Sequence, residues 1–115
     1  MDLTVSRKED YVLAATTGRI DDSADGLFRE RLFSLLAQTG TNVVLDLSQS
    51  KFISSHGIGY LVSLAAHANT NSSRVILAAC SPFVSIVLTR CKLDRFFETA
   101  DSVDAAVRRI RGDAE

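Results

Sequence analysis

The sequence predicts an α/β fold: a mixed, mostly parallel sheet with an N-terminal hairpin and about four helices. Three observations carry that expectation. Short apolar runs alternate with helix-periodic stretches in the order β-β-α-β-α-β-α-β-α, which implies parallel strands joined by crossovers. Val43-Val44-Leu45-Asp46-Leu47 is an almost continuous apolar run, as a central strand buried on both faces requires. Ala24, Leu27, Phe28, Leu32, Leu35 and Leu36 recur at i, i+3, i+4 and i+7 spacing, the stripe of an amphipathic helix.

The elements follow in order. Leu3-Thr4-Val5-Ser6 and Tyr11-Val12-Leu13-Ala14-Ala15 read as two strands, and the polar turn Arg7-Lys8-Glu9-Asp10 makes them a hairpin. Thr17 to Ser23 lead into the first helix, with Asp22 or Ser23 as its expected N-cap and Gly40 beyond its C-terminal end. After the central strand, a second helix runs from about Ser55 to about Asn69. Its expected core stripe is Ile58, Leu61, Val62, Ala65 and Ala68. Arg74 to Ala78 is another buried strand. Ser81-Pro82 opens a third helix, serine as cap and proline at the first helical position, with Val84, Val87, Leu88 and Cys91 expected to face inward. Phe96 to Thr99 reads as a short edge strand. Ser102 caps a last helix whose apolar face is Val103, Ala106, Val107 and Ile110, and fraying is expected from Gly112 on.

The bulk numbers exclude several function classes. The chain has 115 residues, the length of one domain, so residues 1–115 are expected to form a single unit. Apolar residues make up 46% and charged residues 23%, the profile of a soluble globular domain. The net charge is −1 and the cations are scattered, which argues against nucleic acid or an anionic membrane as a partner. No apolar run reaches the ~18–20 residues that span a bilayer. The N-terminal residues lack a signal-peptide pattern, so a cytoplasmic monomer is expected. Cys80 and Cys91 are expected to be reduced and buried, with no Cys-x-x-Cys and no zinc-like spacing to His56 or His67.

The chemistry concentrates in Phe52-Ile53-Ser54-Ser55-His56-Gly57-Ile58-Gly59, between the central strand and the second helix. Working residues of α/β folds sit at this strand-exit edge. The stretch lacks the third glycine of a dinucleotide fingerprint and the Gly-Lys-Ser/Thr of a phosphate-binding loop. Ser55 and His56 are neighbours about 100° apart on a helix, unsuited to act as nucleophile and base. His67 lies about 18 Å further along the same helix. No enzymatic activity, cofactor or metal site is therefore expected. Ser55 has two readings: a helix N-cap worth ~1 kcal/mol, or a hydroxyl presented to a kinase. Gly57 has two as well: tight packing against the sheet, or open backbone for another molecule to approach. His56, Tyr60, Leu64 and His67 fall on one stripe, suited to partner docking or to lying half-buried under a neighbouring loop.

These residues carry a resemblance. Thr17-Gly18-Arg19-Ile20-Asp21 is similar to a Gly-x-hydrophobic-Asp turn, and Val44-Leu45-Asp46-Leu47-Ser48 with Phe52-Ile53 to a central strand and its exit. Ser54-Ser55-His56-Gly57-Ile58-Gly59 is similar to an Asp-Ser-Ser/Thr-Gly-hydrophobic-Gly motif. Leu93 to Phe97 and Asp101 to Ala106 add a typical closing segment. Together, across essentially the whole chain, they resemble the STAS domain, and specifically the bacterial anti-sigma factor antagonists. The resemblance implies a phosphorylation-controlled partner switch. The unphosphorylated form binds a kinase-type anti-sigma factor, phosphorylation at Ser55 releases it, and a serine phosphatase resets it. Ser54 stands where the motif has aspartate, and is an alternative acceptor; His56 stands where it has serine or threonine. Asp21, Ser54, His56, Gly57, Tyr60 and Leu64 are the implied partner-binding residues. The alternative within the same fold is a ligand- or nucleotide-binding module, or an accessory part of a transporter or stress-signalling complex.

Overall fold

The computed structural model describes residues 1–112. Five strands form one sheet in the order β1-β2-β3-β4-β5. β1 (Asp2–Arg7) and β2 (Val12–Thr17) are an antiparallel hairpin, closed by Lys8 N–H donating to the Tyr11 carbonyl at 2.8 Å. β3 (Asn42–Gln49), β4 (Arg74–Ala78) and β5 (Glu98–Ala100) each run parallel to the strand before. The mixed, mostly parallel sheet with its N-terminal hairpin is the architecture the alternation of elements predicts.

The first helical segment is composite. α1 (Ala24–Phe28) passes through a π-helical stretch, residues Arg29–Phe33, into α2 (Ser34–Leu36). The expected stripe holds, with Ala24, Phe28, Leu32, Leu35 and Leu36 all buried and Leu27 packed beside them. The expected side-chain cap does not form. Ser23 occupies the N-cap position but its backbone is already helical and its side chain makes no cap bond. Asp21 does the work two residues earlier, accepting from Ser23 N–H at 3.1 Å and from Ser23 Oγ at 2.7 Å.

α3 (Ser55–Thr70) and α4 (Pro82–Arg90) complete the layer on that face. Leu61, Leu64, Ala68, Val84 and Leu88 meet Val43, Leu45, Leu47 and Leu77 there, all at 2% exposure or less. α5 (Val103–Ile110) covers the opposite face, where Ala106 and Val107 pack on Val44, Ile76, Ala78 and Ala100. β3 therefore buries both faces, which is why its sequence reads as a continuous apolar run.

Two expectations shift. The edge strand starts at Glu98 rather than Phe96, because Phe96 and Phe97 N–H both donate to the Leu93 carbonyl in a turn, at 3.0 and 3.2 Å. Phe97 still drops into the core while Phe96 stays 46% exposed. Cys91 does not face inward: it follows the last residue of α4 and is exposed, though both cysteines are free. Burial pushes the Cys80 thiol above its ordinary pKa. The fraying expected beyond Gly112 falls on residues outside those described.

Candidate functional site

The site is built where the β2–α1 connection crosses the exit of β3. Gly18 has a left-handed φ of 89°, open to glycine at little cost, and this turn sends the chain alongside residues 49–54. Gly18 N–H donates to the Gln49 carbonyl at 3.1 Å, Ile20 N–H to Phe52 at 3.0 Å, and Ser54 N–H returns to the Ile20 carbonyl at 2.9 Å. Ile20 and Ile53 form a parallel bridge, both buried. Beneath them a register shift in the β2–β3 pairing places the buried Thr16 hydroxyl 2.6 Å from the equally buried Ser50 hydroxyl. The two loops are therefore tied by backbone and by a buried side-chain pair.

That tie decides which serine caps α3. Ser54, held extended at φ −89° and ψ 172° by its bond to Ile20, is the N-cap; its Oγ accepts from Gly57 N–H at 3.1 Å. The expectation that Ser55 caps the helix is thus corrected by one residue. Ser55 is the first helical residue, and its hydroxyl is exposed. His56 beside it is exposed too.

Gly57 resolves in favour of packing. It is buried, and a Cβ there would overlap the Ile20 carbonyl oxygen and come within 2.9 Å of Ile53 Cγ1. Its backbone faces its own chain and offers no approach to another molecule. Gly59 differs: a Cβ there would meet nothing within 4 Å.

The rest of the expected stripe divides. Leu64 is fully buried and belongs to the core, so it is removed from the partner-binding set. Turning it outward would forfeit the burial of a leucine, about 1.5–3 kcal/mol. Tyr60 is half-buried against the same core. His67 stacks on Phe33 with centroids 4.8 Å apart, and its Nε2 lies 3.1 Å from the Phe33 carbonyl oxygen. The outward face of α3 instead presents Ser55, His56, Gly59 and Ser63.

Asp21 reaches the same edge through its neighbour Ile20. The Ser23 hydroxyl and amide hold its carboxyl below the usual carboxylate range, so it is ionised at neutral pH. Arg19 Nε stands 4.0 Å from that carboxylate. Among the described residues no three His, Cys, Asp or Glu side chains gather as a metal site would need. No helix there is long and apolar enough to cross a membrane.

One feature of this edge was not anticipated. The Arg19 guanidinium lies 3.9 Å over the Phe52 ring, and Phe52 stacks on Phe83 with centroids 5.4 Å apart and planes 17° from parallel. Arg19 and Phe52 come from two different connections and Phe83 from the first turn of α4, so only the folded chain brings them together. The sole sequence signal was that Phe83 breaks the apolar pattern of α4 on its exposed side.

Comparison with known proteins adds the following. The family model described as the STAS domain matches residues 3–106. A STAS-domain containing protein of Pseudomonas aeruginosa is 31% identical over 81 residues, 70% of this chain and 79% of that protein. Among solved structures, the anti-sigma factor antagonist SpoIIAA in its unphosphorylated form has a TM-score of 0.80 at 20% identity, covering 99% of this chain and 100% of that one. The phosphorylated form of SpoIIAA from Bacillus has a TM-score of 0.73 at 19% identity, covering 96% and 100%. An anti-sigma factor antagonist from Mycobacterium paratuberculosis has a TM-score of 0.82 at 19% identity, covering 96% and 93%.

Proposed function

The chain belongs to the STAS domain family, and from that premise we propose that it is an anti-sigma factor antagonist switched by phosphorylation of Ser55. The observation that carries the proposal is the division of labour at the start of α3. Ser54 spends its oxygen on the Gly57 amide, while Ser55 stands exposed at the first helical position with no structural task. A kinase taking Ser54 would have to break a cap worth ~1 kcal/mol. Taking Ser55 breaks nothing in the fold.

The switch follows from charge. A phosphoserine carries about −1.5 to −2 charges near neutral pH. At the first turn of a 16-residue helix, free amides and the helix dipole favour that charge, so modification leaves the domain folded. The consequence falls on the partner. In the unphosphorylated form, Asp21, Ser55, His56 and the half-buried Tyr60 make one edge for a kinase-type anti-sigma factor. The phosphate adds bulk beside that edge and a charge that must be desolvated on docking, and the complex dissociates. A serine phosphatase restores the first state. The protein is a cytoplasmic, non-enzymatic regulator in this reading.

The test is the affinity of the purified kinase-type anti-sigma factor of the same host for three forms. Ser55→Ala is expected to bind as the unmodified protein does, and Ser55→Asp about tenfold or more weaker, at least ~1.4 kcal/mol. Equal affinity of the two variants would sink the proposal. Peptide mass analysis of protein incubated with that kinase and ATP is expected to place the phosphate on Ser55 and leave Ser54 unmodified.

A further inference from the structure

A groove of about 480 Å³ opens on the same sheet edge, lined by Ser48, Lys51, Ala79, Ser81, Pro82 and Phe83. We propose that it is a binding site for a small lipophilic anion: a planar apolar body bearing one acidic group. The proposal stands whether or not Ser55 is phosphorylated.

Four features point to that class. The volume lies in the range of small-molecule sites, roughly 300–1,000 Å³. The groove sits outside the carboxyl ends of β3 and β4, where sheets of this kind take ligands. Ala79, Pro82 and Phe83 make its apolar lining, and Lys51 is the only charged residue in that lining. Lys51 is exposed, and Ser48 and Ser81 in the same lining carry hydroxyls that can also donate. An anionic head is thus the complementary charge, and a cation is not.

The wall is preorganised. Phe83 is 45% exposed on one side and stacked on Phe52 on the other, while Phe52 is held under Arg19. Phe83 already stacked on Phe52 offers a ring with less side-chain freedom for binding to remove. Ala79 supplies the second sign. Its φ of 56° is left-handed, where a non-glycine residue is strained, and its N–H is fixed at 3.0 Å from the Ala100 carbonyl oxygen. Strain of this kind gathers at ligand clamps. An occupant touching Phe83 also loads Phe52, in the loop that leads to Ser54 and Ser55.

The experiment is a titration of the isotope-labelled chain with 2-naphthoate, 2-naphthylmethylammonium and uncharged 2-naphthalenemethanol, followed by amide chemical shifts. Naphthoate is expected to give saturable shifts centred on Lys51, Ala79, Ser81 and Phe83. It should bind about tenfold or more tightly than the ammonium analogue. Lys51→Glu, an exposed substitution, is expected to remove that preference while leaving the spectrum folded, and Phe83→Ala to weaken all three probes. Equal binding of naphthoate and the ammonium probe overturns the anionic assignment. Shifts centred elsewhere, or none that saturate by about 5 mM, overturn the site and leave the groove to a macromolecular partner.

Discussion

Gly57 and Gly59 share a motif and a helix, yet the fold asks opposite things of them. A side chain at Gly57 would run into the backbone of Ile20, which is pinned by its bonds to Phe52 and Ser54 and has no flexible end to move aside. Overpacking of this kind costs typically 1–3 kcal/mol, and a rigid backbone obstacle puts Gly57→Ala at the upper end, about 2–3 kcal/mol. Gly59 faces solvent in the helix interior, where glycine is a poor helix former. Gly59→Ala is expected to stabilise the protein by about 0.5–1 kcal/mol. Urea denaturation of the two variants checks both signs, and a stable Gly57→Ala protein would mean that the Ile20 loop is not fixed where it lies. The sequence marked these glycines as a pair but held no information on which one meets a neighbour. That neighbour arrives from a connection nearly forty residues earlier, and only the Gly18 turn brings it there.

At the level of the element, α3 shows how a helix start is chosen. Two consecutive serines are equally good caps by propensity, so the local sequence left the boundary open. The tertiary bond from Ser54 N–H to Ile20 decides it, because a residue held extended by its neighbour can cap a helix and cannot belong to one. Ser54→Ala is therefore expected to lower stability by ~1 kcal/mol, and Ser55→Ala to stay within about 0.5 kcal/mol of the parent. Chemical denaturation midpoints would show the reverse order if Ser55 were the cap. Ser54→Asp should preserve the cap, since aspartate accepts the same amide. The elements that were legible share one property: their signal is periodic and local. β3 and β4 declared themselves by apolar runs, and Ser81 and Ser102 do cap α4 and α5, accepting at 3.4 and 3.0 Å. The misplaced ones turn on contacts that periodicity does not encode. Phe96 and Phe97 have the aromatic character of a strand, but the Leu93 turn claims them first. Leu64 read as outward because α3 buries a wider arc than its Ile58-to-Ala68 stripe suggested, with α1 and the π-helical segment packed against it.

For the molecule as a whole, the unequal burial of the two sheet faces sets the order of stability. One face carries the α1–α4 layer and the largest buried side chains, Phe28, Ile20, Leu32 and Leu36 among them. The other carries α5 alone, over a small core of valine, isoleucine and alanine. Ties of α5 near the surface include an Arg109–Glu98 ion pair at 3.8 Å. Arg111 pairs with Asp10 at 2.8 Å with both side chains more than 40% exposed, and Arg109 donates to the Thr99 carbonyl. Exposed pairs of this kind add little. We therefore expect α5 to open as a unit while the sheet and the α1–α4 layer remain folded, a sub-global opening below the global free energy. Native-state hydrogen exchange with two core variants separates the cases. Val107→Ala weakens the α5 core, so it should lower the opening energies of α5 and β3 amides by the same amount, about 1.5–2.5 kcal/mol. Val43→Ala weakens only the opposite core, so it should lower β3 protection by a similar amount and leave α5 exchange unchanged. If Val43→Ala speeds exchange in α5 as much as in β3, the two faces unfold together. A separable α5 would leave the Ser54–Ser55 edge intact during its opening, because the bonds from Ile20 and the buried Thr16–Ser50 pair that hold that edge all lie outside α5.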